Sequence, residues 1–442
     1  MTFSKIIGGV VTAGIVAGVS IPIIYDKQIN KFIQTQSENL KIQKIEFKEN
    51  SNKDSFLSTN REYTLIIKDI TPIVQKLYPN IDIYTLKDLK KSFDNTKFTI
   101  KLNILKYPVY HKDAVKIYLK SFNEYTTKNL NTNQYGKQIF EFIKNKGLEV
   151  ILDLNNMDIA KAKLKDINLK LNDKNSNMNI NIKNSYMTFE NNIETNIDNL
   201  TIKMDDKYDH IKFGFNKLHS KSKQKNQFNY TEESTLKDIF YTFNKKNISL
   251  NNLKSSTKVS TIVNNLKVEN KLNIQNIKLS DNFISSSIQN LVFNTQIDKI
   301  NFVAIKKLVN QVQNNPNDTK QLLSNLQEVI NKGFSFKISP FSIDSANIDL
   351  KTQKFNISKI KVDFNTELKT NQFNFKNQNE LLKNLDANLM IKTTKENIDL
   401  LTKINPAINI YLALISKQEK DNILINISYK NGKIISNGKQ LF

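Results

Sequence analysis

The side chains able to do chemistry are few and poorly placed for it. The chain has 3 histidines, His111, His210 and His219, and no cysteine. Asp205, Asp206, Asp209 and His210 form its one acidic-histidine cluster. A metal ion needs three or four convergent ligands, and no second histidine stands near enough in sequence to complete a set. The cluster also falls between two alternating segments, 200–204 and 211–215, where polar residues are most simply the loop of a hairpin. Absence of cysteine excludes zinc-thiolate sites, thiol catalysis and disulfides together. The sequence contains no G-x-S-x-G, H-E-x-x-H, P-loop or Gly-rich dinucleotide turn. Loops that cradle phosphate need glycine, and the chain has only 10, several of them within residues 6–25. A hydrolase built on paired carboxylates needs no local motif and stays open as an alternative. The expectation is a non-enzymatic protein with no catalytic residue, metal or cofactor.

Charge narrows the partners. Lys+Arg is 65 against 42 Asp+Glu, a net +23, and Arg61 is the single arginine. Arginine is the residue suited to bidentate contact with bases and phosphates. Lysines spread along the whole chain and mixed with asparagine therefore argue against specific nucleic-acid binding. They fit a solvated surface or general attraction to anionic surfaces such as lipid headgroups.

The elements that would position any site begin with residues 6–25, IIGGVVTAGIVAGVSIPIIY, twenty residues without a charge. A helix of that length spans the ~30 Å hydrocarbon core of a bilayer at ~1.5 Å per residue. A short basic N-terminus stays cytoplasmic, and long domains cross regardless of their own charge. Residues 1–5 are thus expected in the cytoplasm, 6–25 in the inner membrane, and the rest outside it. A cleaved signal peptide is the rival; the apolar run is long for one and lacks a clean A-x-A site. Gly14 and Gly18 make a G-x-x-x-G spacing that permits close helix pairing, and hence a homodimer, in the membrane.

After an amphipathic stretch over 26–40, residues 26–147 mix strand and helix patterns. Alternation over 45–47 and 63–67 predicts a hairpin, helices are expected over 69–77, 85–93 and 138–146, and a strand over 97–105. From Leu148 to the C-terminus the pattern is predominantly apolar residues alternating with Lys, Asn, Asp or Thr, which predicts many short antiparallel strands. Helical pairs interrupt it near 302–330, with Asp318 as an N-cap, and near 394–416, and a short helix is expected over 378–385. The fold class is α+β and β-dominated: an N-terminal transmembrane helix, then many antiparallel strands in a long curved sheet or sandwich with short covering helices. At the end, Asn431-Gly432 is a two-residue type I′ turn that places Tyr429 opposite Ile434.

That ending carries a resemblance. Asn431-Gly432 followed by Asn437-Gly438-Lys439 resembles the C-terminal signature of the YdgA-like family, inner-membrane-anchored periplasmic proteins of Gram-negative bacteria. The apolar helix within 405–416, the anchor, the early hairpin and the long strand-rich body are also similar, and Phe56-Leu57-Ser58 sits where the family has an aromatic–Ser hairpin edge. The family's early His-Gly-Pro element is not kept; His111 stands in its region. The architecture is more distantly similar to that of AsmA-like envelope proteins with apolar β-grooves. The resemblance implies a periplasmic body tethered to the inner membrane. Its signature residues are turn formers and imply no chemistry.

Each apolar sheet face must be covered. Two sheets could pack on one another as ordinary core. Otherwise a groove lined by Ile, Leu, Phe and Val remains, which would suit acyl chains. The leading expectation is an envelope protein that binds or transports lipid through such a groove, with inner-membrane lipids as partners and homodimerisation through the anchor or the β-rich region. A scaffold of the envelope with no ligand is the alternative.

Overall fold

The computed structural model describes residues 44–55, 58–77, 81–105, 110–132, 134–155, 158–172, 176–189, 192–226, 228–314, 318–369 and 382–441. The expected anchor over 6–25, with Gly14 and Gly18, lies outside them. So do the amphipathic stretch over 26–40, Phe56-Leu57, and all but the end of the helix expected over 378–385. Among the described residues no helix is long and apolar enough to cross a membrane. Strands dominate them, arranged as a long antiparallel sheet with short helices. The chain forms two compact units, residues 1–214 and 215–442.

In the first unit the elements run β1 (Ile45–Asp54), β2 (Ser58–Ile67), α1 (Thr71–Leu77), α2 (Ile83–Phe93), β3 (Lys97–Leu105), β4 (Tyr110–Ser121), α3 (Glu124–Leu130), α4 (Gln134–Lys144), β5 (Glu149–Asn155), β6 (Asp158–Leu164), β7 (Ile167–Asn172), β8 (Ser176–Thr188) and β9 (Ile193–Asp206). β1 to β6 pair in chain order, and β6 and β7 share β8 as a partner. Alternation in β3 points Phe98, Ile100, Leu102 and Ile104 to one face, all buried. Opposite residues share that face: Tyr63, Ile100 and Ile117 line up across β2, β3 and β4. Ile73 and Val74 of α1, Phe93 of α2, Leu130 of α3, and Ile139 and Ile143 of α4 join the same buried cluster. Each such side chain contributes about 1.5–3 kcal/mol when fully buried. Asp82 caps α2 by accepting from the Thr85 amide at 2.8 Å, and Asn123 caps α3 from the Thr126 amide at 2.8 Å.

β10 (His210–Asn226) carries the chain into the second unit. There follow β11 (Asn229–Phe243), β12 (Lys246–Ile262), β13 (Asn265–Ser280), β14 (Ser285–Asn301), α5 (Phe302–Asn314), α6 (Thr319–Asn331), β15 (Phe334–Asp349), β16 (Lys354–Leu368), β17 (Leu385–Thr394), α7 (Lys395–Ile404), α8 (Ile408–Ile415), β18 (Ser416–Glu419), β19 (Asn422–Lys430), β20 (Lys433–Ser436) and β21 (Lys439–Gln440). β11 to β17 form an antiparallel meander, and β19 closes on β17. Asp318 caps α6 as the sequence predicts, accepting from the Gln321 amide at 3.0 Å. Asn431 and Gly432 have φ of 52° and 78°, the left-handed pair a type I′ turn requires, and Tyr429 faces Ile434 as expected. Asn437 and Gly438 repeat the geometry at 49° and 79° before Lys439 pairs with Ser436.

One feature of this unit organises the rest. Asn252, Asn290 and Lys359 lie inside strands with φ of 51°, 51° and 43°. The flanking registers align Asn252, Gln275, Asn290, Asp344 and Lys359 in one row across β12 to β16. On one side of it runs Leu250–Ile277–Ile288–Ala346–Ile357; on the other lie Leu253–Ile274–Leu291 and Ile343–Ile360. In each strand the apolar residues flanking the row are three apart. A regular strand would send them to opposite faces. In β12, β14 and β16 the left-handed residue turns the chain over once, and β13 and β15, paired between them, keep the same three-residue spacing, so the apolar side continues across a crease.

A candidate apolar ligand-binding groove

The acids and histidines that drew attention in the sequence are spread over a turn, a strand and the core. Asp206 accepts the amides of Tyr208 and Asp209 at 2.8 and 2.7 Å, which closes the turn after β9. His210 Nδ1 lies 3.1 Å from Asp205 Oδ1, and Lys203 Nζ lies 2.6 Å from Asp205 Oδ2. The Lys203 contact chiefly holds the Asp205 carboxyl below its ordinary range. Among the described residues no group of three His, Cys, Asp or Glu side chains could hold a metal ion. His219 is exposed on β10. His111, opposite Leu154, is 3% exposed with neither ring nitrogen hydrogen-bonded, and burial lowers its pKa.

A polar clasp that sequence reading missed sits on the neighbouring strand. Asp153 is 1% exposed. It accepts from Lys163 Nζ at 2.8 Å, the Asp113 amide at 2.9 Å and the Tyr110 hydroxyl at 3.1 Å. Burial opposes its ionisation, but the Lys163 ammonium and the other donors outweigh that and hold its pKa down. Every acceptor position used is matched by a donor, so the clasp fastens β4, β5 and β6.

The feature with the chemistry of a site is the apolar face of the second unit. Leu272, Phe293, Phe341, Val362, Ile391 and Ile425 stand opposite one another on six consecutive strands, β13 to β17 and β19. At about 4.8 Å per strand the row is about 24 Å long. Helices pack beyond its β13 end and over its β19 end. Toward β12, Phe302, Ile305 and Val309 of α5 pack against the cluster of Phe228, Val259 and Leu266, with Phe228 and Phe302 edge-on at 5.0 Å. Toward β19, Ile398 of α7 and Ile408, Leu412 and Ile415 of α8 pack on Ile391, Ile423, Ile425 and Ile427. The middle is only half-buried; Phe293 remains 37% exposed.

Beneath α7 and α8 the row ends in a cavity of about 450 Å³. Its wall is Ile, Leu and Phe from β15, β16, β17, β19 and both helices, with Ile357 and Ile360 side by side because the crease intervenes. The polar residues in the wall, Thr393 and Asn397, satisfy each other at 2.7 Å. Asn397, 4% exposed, also accepts from the Ser358 amide at 3.0 Å and donates to the Ser358 carbonyl. Its side-chain amide thus stands in for a neighbouring strand and pins α7 to β16. With those atoms paired inward, the cavity offers a ligand dispersion and desolvation but no hydrogen bond.

The mouth is greasy too. α8 buries Ile408, Leu412 and Ile415 at helical spacing, yet its outer side carries Ile410, Tyr411 and Leu414, 70%, 68% and 61% exposed. Leu401 and Ile404 of α7 are exposed as well. A helix apolar on every side is normally enclosed. The chain matches no family model, no curated protein and no solved structure.

Proposed function

We propose that the chain is a non-enzymatic, membrane-tethered envelope protein of the YdgA-like kind whose curved apolar sheet face takes up lipid acyl chains. The observation that carries this is the six-residue apolar row running into the 450 Å³ cavity. Its wall has paired its polar atoms and its volume lies within the range of ordinary ligand pockets, about 300–1,000 Å³. Tethering through residues 6–25 would keep the groove beside inner-membrane lipids, its source of ligand. A homodimer through the anchor or the β-rich region is compatible with this, and nucleic acid has no place in it.

The test uses the full-length chain and a polarity-sensitive fluorescent fatty acid. Saturable uptake near one molecule per chain, lost in Ile360→Phe, which fills the cavity, is the expected result. Circular dichroism of the variant would establish that the sheet is intact. Uptake that never saturates, or that Ile360→Phe leaves unchanged, would sink the acyl-chain reading. The outward apolar side of α8 favours a second reading, an envelope scaffold that docks a protein partner there. Crosslinking from Tyr411 to one protein, without bound lipid, would favour the scaffold.

A further inference from the structure

The crease carries a second hollow, of about 670 Å³, on β10 to β14. Lys217, Lys237 and Lys254 line it, from three successive strands. Its wall also holds the amides of Asn252, Gln275 and Asn290, and no carboxylate. Many strand lysines elsewhere are neutralised by a neighbour: Lys203 by Asp205 at 2.6 Å, Lys267 by Glu269 at 2.9 Å, Lys299 by Glu367 at 2.6 Å and Lys369 by Asp386 at 2.9 Å. None of the three in the hollow has an acidic partner among the described residues. The acids at the crease are engaged by amides instead: Asp238 by Asn251 at 2.9 Å and Asp344 by Asn290 at 2.7 Å. Lys217 moreover holds φ at 52°, a conformation lysine rarely adopts.

Three like charges around one concavity repel one another and raise the local concentration of anions. Lysine recognises phosphate as a point charge, and amides supply further donors. Leu236, Leu253, Ile274 and Leu291 also border the hollow, but Lys237 and Lys254 follow Leu236 and Leu253 in their strands and so leave the sheet on the face opposite to theirs. The lysines and the apolar row therefore occupy opposite faces of the sheet. We propose that the hollow binds a phosphate group, carried by a free phosphate ester or by a lipid headgroup. The site is independent of the acyl-chain reading above.

The experiment compares the full-length chain, in a non-ionic detergent, with a Lys217→Gln, Lys237→Gln, Lys254→Gln triple variant. A second triple variant, Lys128→Gln, Lys137→Gln, Lys170→Gln, removes the same charge from exposed positions elsewhere. Three probes are titrated calorimetrically: inorganic pyrophosphate, a short-chain phosphatidate, and the diacylglycerol with the same chains. The parent chain should bind phosphatidate at least tenfold more tightly than diacylglycerol. The hollow variant should lose that preference while keeping its diacylglycerol affinity, and the control should keep both. A charge-conserving Lys→Arg triple should retain the preference, which separates loss of charge from loss of fold. Pyrophosphate bound as tightly as phosphatidate assigns the site to a free phosphate ester and overturns the lipid headgroup. Equal losses in hollow and control variants, or no preference in the parent, overturn the site itself. Absent diacylglycerol binding with pyrophosphate binding lost only in the hollow variant sinks the acyl-chain reading and leaves the phosphate site standing.

Discussion

His111 shows what burying an unpaired imidazole costs. It lies in the core opposite Leu154 with both ring nitrogens unpartnered, so charging it there is unfavourable. The unfolded chain binds a proton on this imidazole near its ordinary value of 6.5, the folded chain only at lower pH. Stability is therefore undiminished well above pH 6.5 and declines as pH falls through that value, until the folded form protonates too. Urea midpoints measured from pH 8 to pH 5 should fall, and His111→Leu should flatten that part of the profile. A parallel decline in the variant would place the titration elsewhere. Asn397 makes the complementary case, a buried polar group fully used. Asn397→Leu leaves the Ser358 amide and carbonyl without partners and should destabilise by about 1–3 kcal/mol. Hydrogen exchange at Ser358 would report the loss directly, and unchanged protection there would refute the role.

At the scale of elements, the crease is a steric device with a clear substitution test. An L residue at φ near +50° costs about 1–2 kcal/mol, least for glycine and asparagine and most for β-branched side chains. Asn252, at φ 51°, should accept Gly with little loss, although its bond to Gln275 goes. Asn252→Val should lower the thermal transition by several degrees and loosen β12 against β13. Equal effects of Gly and Val would mean that the side-chain bond, not the backbone, matters. The same device explains what the sequence hid. β3, whose Phe98, Ile100, Leu102 and Ile104 alternate without a break, is legible to the residue. β11 is not, because Leu236 and Ile239 are three apart and polar residues fill Glu232 to Ser234. β4 is obscured by the bulge between His111 and Val115, where Asp113 takes φ 52°. In β4 a left-handed residue, and in β11 pairing with the left-handed level of β12, keeps the apolar side in a way that alternation rules do not encode. The helix pairs, the Asp318 cap and the Asn-Gly turn were legible because their signals are local.

For the whole molecule, the apolar row could not be read from the chain, since it needs the register of six strands. What the sequence did show was a surplus of apolar faces over helices to cover them, and the half-buried middle of the sheet is that surplus. The absence of tryptophan makes it easy to probe. Phe293→Trp introduces a single reporter at the uncovered centre of the row. Its emission should move to shorter wavelength when a fatty acid is added, and stay put with the head group alone. A ligand present at a hundred times its dissociation constant should also stabilise the fold by about 2.7 kcal/mol. A reporter that shifts without any rise in the unfolding midpoint would indicate nonspecific adsorption.

The aligned turnover of β12 to β16 also restricts how such a protein can change length. Removing one residue from a single strand near Asn290 would leave its far half showing lysines and asparagines where its neighbours show isoleucine. Gains and losses are harmless only if they occur in the connecting turns, or at the same level in all five strands together. Mutational scanning by single-codon deletion should therefore find these strands intolerant along their length and the turns between them permissive.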